Sequence, residues 1–245
     1  MDNWFTVQAV SKRFFGLQAL QAVSFSVSPG EMVGIIGPNG SGKTTLLNII
    51  SGYYAPDTGT IRLGHTRIDG LPPNRVAGLG IARMFQITRL FRRLSVLENL
   101  LVVAYATGRS GEREALERAD QILAALHLEG MRDEPAASLS GGQQKLLEFG
   151  TCFMANPQLV LLDEPFASIH PTLKEILATF IRERHQAGET FLIVSHDIPA
   201  VVDLCPRLVV LSAGTVIADG PTATVLDTDQ VIEAYLGEGW HGTAS

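Results

Sequence analysis

Gly37-Pro38-Asn39-Gly40-Ser41-Gly42-Lys43-Thr44-Thr45 gathers glycines, hydroxyls and one lysine into a short run that fits G-x-x-x-x-G-K-[ST]. Its chemistry would be the binding of a polyphosphate. Glycines let the backbone curl so that successive N–H groups point inward, and a helix that begins there adds its positive dipole end. Lys43 would reach the β- and γ-phosphates of a nucleoside triphosphate, and the Thr44 hydroxyl would ligate Mg²⁺. A Gly-rich turn before an ordinary helix would offer the same glycines without the right flanks. Here Met32-Val33-Gly34-Ile35-Ile36 reads as a strand before the loop, and Leu46-Leu47-Asn48-Ile49-Ile50 reads as helix after it.

Two other apolar runs end in polar groups. Leu159-Val160-Leu161-Leu162 leads to Asp163-Glu164, and Phe191-Leu192-Ile193-Val194 leads to Ser195-His196-Asp197. Leu208-Val209-Val210-Leu211 supplies a further strand. Strands alternating with helices imply an α/β fold with a mostly parallel sheet, which binds ligands at the carboxyl ends of its strands. The phosphate loop, Asp163-Glu164 and His196 would then meet along one edge.

Around this core, Phe5-Thr6-Val7-Gln8-Ala9-Val10 and Val23-Ser24-Phe25-Ser26-Val27 alternate as strands, and Thr60–Leu63 with Thr66–Ile68 reads as a hairpin broken at Gly64-His65. These predict a small antiparallel sheet beside the nucleotide core. From about Ser95 to Leu128 the chain reads as helical. Leu116, Ala119, Ile122, Leu123 and Leu126 fall on one face, and Glu114 precedes Arg118 by one helical turn. This stripe is read as packing, within a helical subdomain inserted in the α/β core. Ser138-Leu139-Ser140-Gly141-Gly142-Gln143-Gln144 leads into another helix.

The 245 residues carry a formal net charge of −6, which argues against nucleic acid as the main ligand, since that usually calls for a basic stripe. At physiological salt charges are screened beyond about 8 Å, so a local anion-binding loop outweighs the overall charge. The longest apolar run, Leu100–Ala106, is far short of a membrane span, and Met1-Asp2-Asn3 lacks the basic start of a signal peptide. A cytoplasmic protein is expected. Cys152 and Cys205 have no metal-ligand spacing and are read as reduced residues in apolar surroundings.

Taken together, these motifs resemble the ATP-binding cassette (ABC) ATPases over nearly the whole chain. The resemblance implies a phosphate-loop, RecA-like, mostly parallel core with an antiparallel β subdomain and a helical subdomain inserted at approximately 88–153. The ATPase domain would span 1–237, with 238–245 as a tail. Ser140, Gly141, Gly142 and Gln143 look like the family's signature motif, which holds the γ-phosphate of a partner subunit's ATP, so a head-to-tail dimer is implied. Asp163 resembles the aspartate that supports Mg²⁺, and Glu164 the carboxylate that polarises the attacking water. Gln86 resembles the glutamine that touches Mg²⁺ and water while sensing the membrane partner, and His196 the histidine that contacts the γ-phosphate. Phe14 aligns with the aromatic on which adenine stacks, with Phe15 the competing choice. Two positions depart from the family. His170 stands where Asp or Asn is usual, and Thr151 where Arg is common.

Within the family, Gln143–Phe149, Arg89-Leu90-Phe91, Ser95–Asn99 and the closing Val231–Glu238 resemble ATPase subunits of branched-chain amino-acid importers. That implies import of such solutes through separate permease subunits, whose cytoplasmic loops would dock around Gln86–Phe91. It also implies a second ATPase, identical or related, and, indirectly, a periplasmic solute-binding protein. The chain would be peripheral on the cytoplasmic face of the membrane. Alternatives are an export ATPase of the lipopolysaccharide-transport kind, or a soluble nucleotide-sensing cassette with weak hydrolysis.

Overall fold

Leu159 and Leu161 belong to one hydrophobic core, whereas Val160 and Leu162 belong to another. That is the parity of a strand buried on both faces. The computed structural model of this chain describes residues 4–85, 90–108 and 111–236. In chain order the elements are β1 (Phe5–Phe14), β2 (Leu17–Val27), β3 (Met32–Ile36), α1 (Lys43–Ile50), β4 (Thr58–Leu63), β5 (Thr66–Arg67), α2 (Pro73–Gly78), β6 (Ile81–Met84), α3 (Val96–Thr107) and α4 (Glu112–Ala125). They continue with α5 (Gly141–Thr151), β7 (Leu159–Asp163), α6 (Pro171–Gln186), β8 (Thr190–Val194), α7 (Ile198–Leu204), β9 (Arg207–Ser212), β10 (Thr215–Pro221), α8 (Thr222–Val225) and α9 (Asp229–Leu236).

The main sheet runs β10-β9-β3-β8-β7-β6. Its pairs from β9 to β6 are parallel, and β10 joins β9 antiparallel at the edge. A second sheet, β2-β1-β4-β5, is antiparallel throughout. The α/β architecture expected from the alternating strands is therefore present, and so is the small antiparallel sheet. Between the two sheets lies one core, in which Phe5, Val7 and Leu20 meet Val33, Ile35, Leu161 and Leu192 around Leu46 and Ile50 of α1. On the far face, Phe149, Phe153 and Phe180 pack with ring centroids 4.9 to 5.2 Å apart, and Phe153 lies 6.3 Å from Phe191 of β8.

The stretch from about Ser95 to Leu128 is helical as expected and is divided into two helices, α3 and α4. Ser95 starts α3 with a capping box: its hydroxyl accepts from Glu98 N, and the Glu98 carboxylate accepts from Ser95 N. The helix ends where Gly108 turns left-handed at φ 59°. In α4 the anticipated stripe is buried at Ala119, Ile122 and Leu123, continues past the helix end in buried Leu126, and is half-exposed at Leu116. The Glu114–Arg118 pair forms at 3.3 Å, accompanied by Arg113–Glu117 at 3.0 Å. Both cysteines are buried and free. Among the described residues no helix is long and apolar enough to cross a membrane.

Candidate active site

The phosphate loop connects β3 to α1, and its shape depends on residues that have no Cβ. Gly37 sits at φ 151°, where a Cβ would come within 2.0 Å of the Leu211 carbonyl oxygen. Gly42 caps α1 at φ 105°, with the Ala19 carbonyl oxygen 2.6 Å from where a Cβ would stand. These are backbone-to-backbone limits that no side-chain rotation relieves. The Lys43 ammonium donates to the carbonyl oxygens of Gly37 at 2.6 Å and Pro38 at 2.9 Å, so the loop curls around it.

A cavity of about 840 Å³ opens over this loop, within the range of small-molecule sites. Gly37, Asn39, Gly40, Ser41, Gly42, Lys43, Thr44 and Thr45 line one side, Glu164 and His196 a second, and Phe14 the rim. Phe14 meets Tyr54 edge-on at 5.2 Å. Phe15, the competing aromatic, is fully exposed and does not line the cavity. Leu17, Gln18, Ala19, Ile198 and Tyr235, none of them part of a motif in the sequence, also line it. Tyr235 arrives from α9, the closing stretch read only as a mark of a subgroup, and nothing in its local spacing announces the cavity.

Glu164 follows the last residue of β7 with left-handed backbone, φ 53°. Its N–H donates to the Val194 carbonyl oxygen at the end of β8, which turns the side chain out of the strand and into the cavity wall. One carboxylate oxygen, Oε2, gathers three groups: the Ser195 hydroxyl at 3.1 Å, His196 N at 3.2 Å and His196 Nδ1 at 2.8 Å. The His196 ring is otherwise largely exposed. Ser195 was legible in the Ser-His-Asp run, but its bond to Glu164 depends on the β7–β8 register.

Asp163 is buried behind this wall. Its Oδ2 accepts from Arg83 Nη2 at 2.9 Å, while Oδ1 has no hydrogen-bond partner among the described residues. Burial pushes its carboxyl above the usual range, opposed by the Arg83 hydrogen bond and charge. A buried, unused carboxylate oxygen on the residue before cavity-lining Glu164, with Thr44 also lining that cavity, fits a hard divalent cation that takes oxygen ligands. Gln86 and Arg89, also singled out in the sequence, lie outside the described residues.

Ser140, Gly141, Gly142 and Gln143 do not line the cavity. Ser140 caps α5 in a second capping box: its hydroxyl accepts from Gln143 N at 3.3 Å, and the Gln143 side-chain oxygen accepts from Ser140 N at 2.9 Å. Ser140 and Gly141 are exposed, and a Cβ on Gly141 would meet nothing within 4 Å. The helix start is presented to solvent. From the same helix, buried Lys145 donates to the carbonyl oxygens of Glu164 and Ala167. His170 caps α6, its Nδ1 accepting from Thr172 N, so this ring serves as a helix cap.

The ABC transporter family model matches residues 20–167. The chain belongs to the ABC transporter family. The probable branched-chain amino acid transport ATP-binding protein LivG of Archaeoglobus fulgidus is 39% identical over 241 residues, with 94% of each chain covered. Among solved structures, the ADP conformation of an ATP-binding cassette of an ABC transporter matches with a TM-score of 0.87 and 35% identity, covering 97% of this chain and 100% of that one. A dimeric post-hydrolysis cassette bound to ADP and Pi matches with a TM-score of 0.80 and 27% identity, covering 89% and 98%. In this cassette, then, the phosphate loop and Glu164 share one cavity, and the exposed start of α5 lies apart from it.

Proposed function

We propose that this chain is the ATP-hydrolysing subunit of an importer of branched-chain amino acids or related small solutes. The observation that carries the reading is Glu164, whose carboxylate lines the same cavity as the phosphate-loop lysine and hydroxyls. Loop N–H groups and Lys43 bind the polyphosphate, Phe14 takes the adenine, and Thr44 with Asp163 holds Mg²⁺. The ion, when bound, neutralises charge on the phosphates. Glu164 accepts the proton of the attacking water, and His196, next to it, contacts the γ-phosphate. Gln86 is assigned to the same water and to the membrane partner.

Ser140 to Gln143 complete the site of a second cassette. The exposure of Ser140 and Gly141, the separation of all four residues from the cavity of their own chain and the dimeric relative support a head-to-tail dimer. The permease loops dock in the groove beside the helical insert, a cavity of about 360 Å³ lined by Tyr53, Val76, Phe85 and Val103. Phe91 is 58% exposed, while Leu90 is half-buried against the core. Import is preferred to lipopolysaccharide export because of the relative's transport role.

The test is reconstitution with the cognate permeases and binding protein in vesicles. ATPase activity stimulated by leucine, isoleucine or valine, and lost in Glu164→Gln, is expected. Stimulation by none of these solutes in an assembly that hydrolyses ATP would remove the substrate assignment.

A further inference from the structure

Arg83, assigned no part in binding or hydrolysis, donates hydrogen bonds to Asn48, Ser51 and Asp163. It sits on β6, which pairs in parallel with β7 so that Arg83 lies opposite Leu161 and Met84 opposite Leu162. From there Nη2 donates to Asp163 Oδ2 at 2.9 Å, and Nη1 donates to Asn48 Oδ1 at 2.8 Å and Ser51 Oγ at 2.7 Å. The guanidinium carbon lies 4.8 Å from the centroid of the Phe85 ring and 5.9 Å from that of Tyr53, a stacked setting suited to arginine's flat cation. Only 6% of the Arg83 side chain and 2% of the Asp163 side chain are exposed.

Asn48 lies in α1 and Ser51 caps its C-terminus; α1 is the helix that begins at Lys43-Thr44. One planar group therefore spans the end of the phosphate-loop helix and the end of the strand that carries Asp163. It also occupies one carboxylate oxygen and leaves the other, Oδ1, buried with no partner among the described residues. A carboxylate gripped on one oxygen cannot rotate about its last side-chain bond without losing a charge-assisted bond. Arg83 thus ties Asp163 on β7 to the C-terminal end of the helix whose first turn carries Thr44.

We propose that Arg83 is the positioning residue that sets Asp163 for the divalent cation and holds it in register with the phosphate-loop helix. This rests on the reading that Thr44 and Asp163 serve Mg²⁺. Arg83 touches neither nucleotide nor metal in this role. It acts through Asp163, as outer-shell partners orient carboxylate ligands.

The experiment is calorimetric titration of ATP into the full chain carrying Glu164→Gln, once with Mg²⁺ and once with EDTA, so that the gain in affinity due to the metal is read without turnover. Arg83→Gln is expected to cut that gain by about tenfold, the lower end of typical outer-shell effects, with binding in EDTA unchanged. Arg83→Lys, which keeps the charge but not the fork, is expected to fall between. Melting temperature is recorded for each, since a merely structural arginine would lower it without touching the metal-dependent gain. An undiminished gain in Arg83→Gln overturns the proposal whatever the melting temperature does. Should Arg83→Gln fail to fold, Arg83→Lys and Asn48→Ala decide by the same criterion. Asp163→Asn separates the two layers. If it loses the gain while the Arg83 variants keep it, only the brace is wrong; if it keeps the gain, the metal reading fails and the brace with it.

Discussion

Lys145 and Glu164 are joined through the backbone: the Lys145 ammonium donates to the Glu164 carbonyl oxygen at 2.9 Å and to that of Ala167 at 2.7 Å. Lys145 belongs to the helix that Ser140 starts, and Glu164 is held in a left-handed conformation that costs an ordinary residue on the order of 1 kcal/mol or more. The two bonds fix the turn that aims the carboxylate. Burial pulls the Lys145 pKa down, opposed by the charges of Glu148 and Glu164.

Lys145→Met should therefore leave two carbonyls short of a donor. A loss of roughly 2–3 kcal/mol is expected, the range for bonds to a charged group, visible in urea unfolding. Turnover should fall with it, because the Glu164 turn is released, whereas Lys145→Arg should recover part of both. Normal stability in Lys145→Met would show that these contacts do not hold the turn.

Glu164→Gln keeps a side-chain oxygen for Ser195 and His196 N but cannot take a proton from water. Turnover should drop by about 10²–10⁴-fold, the usual worth of general-base help, with ATP retained. Filter binding of labelled ATP and size-exclusion chromatography of the variant would read both. Undiminished hydrolysis in the purified assembly would exclude Glu164 as the base.

Two glycine substitutions should part company. At Gly37 a Cβ runs into the Leu211 carbonyl oxygen, so Gly37→Ala should destabilise the fold by about 1–3 kcal/mol and weaken nucleotide binding. At Gly141 the space is open and φ is not left-handed, so Gly141→Ala should melt at or slightly above the parent temperature. Its added methyl stands where a partner's phosphate would approach, and ATP-driven dimerisation should suffer. Differential scanning fluorimetry and light scattering with ATP separate the two effects.

Burial pushes the Cys205 thiol from 9.0 up to about 12 and the Cys152 thiol higher still. In the native protein neither should react with a thiol reagent at pH 8, and both should react in urea. The sign of the linkage follows. Above pH 9 the unfolded chain loses thiol protons that the folded chain keeps, so this contribution to stability is present below pH 9 and declines as pH rises towards 12. Replacing both cysteines by alanine should flatten that decline in unfolding free energy measured at pH 8 and pH 10.

Much of this was legible in the sequence because short-range chemistry encoded it. The loop from Gly37 to Thr45 carries its own geometry, and the apolar runs ending at Asp163 and Val194 carry theirs. The run from Ser138 to Gln144 marks the start of α5, although the capping box between Ser140 and Gln143 is seen only in the fold. Arg83, Lys145 and Tyr235 were not legible in that way. Arg83 and Lys145 reach Asp163 and Glu164, 80 and 19 residues away, and Tyr235 lines a cavity whose opposite rim is Phe14, near the other end of the chain; all three depend on strand order and helix docking. The helical character of Ser95–Leu128 was legible too, but its division into two helices, the first ending at left-handed Gly108, is not announced by the apolar stripe.

The exposed start of α5 and the cavity of the same chain lie apart, so a pair of subunits would own two composite sites, each built from unlike halves. A subunit spoiled only at Lys43 and another spoiled only at Gly141 would each be inert alone. Mixed together, they would rebuild one intact site in every hybrid and wreck the other beyond use. Such genetic complementation between dead alleles belongs to shared ownership of a site, and a self-sufficient monomer would not display it.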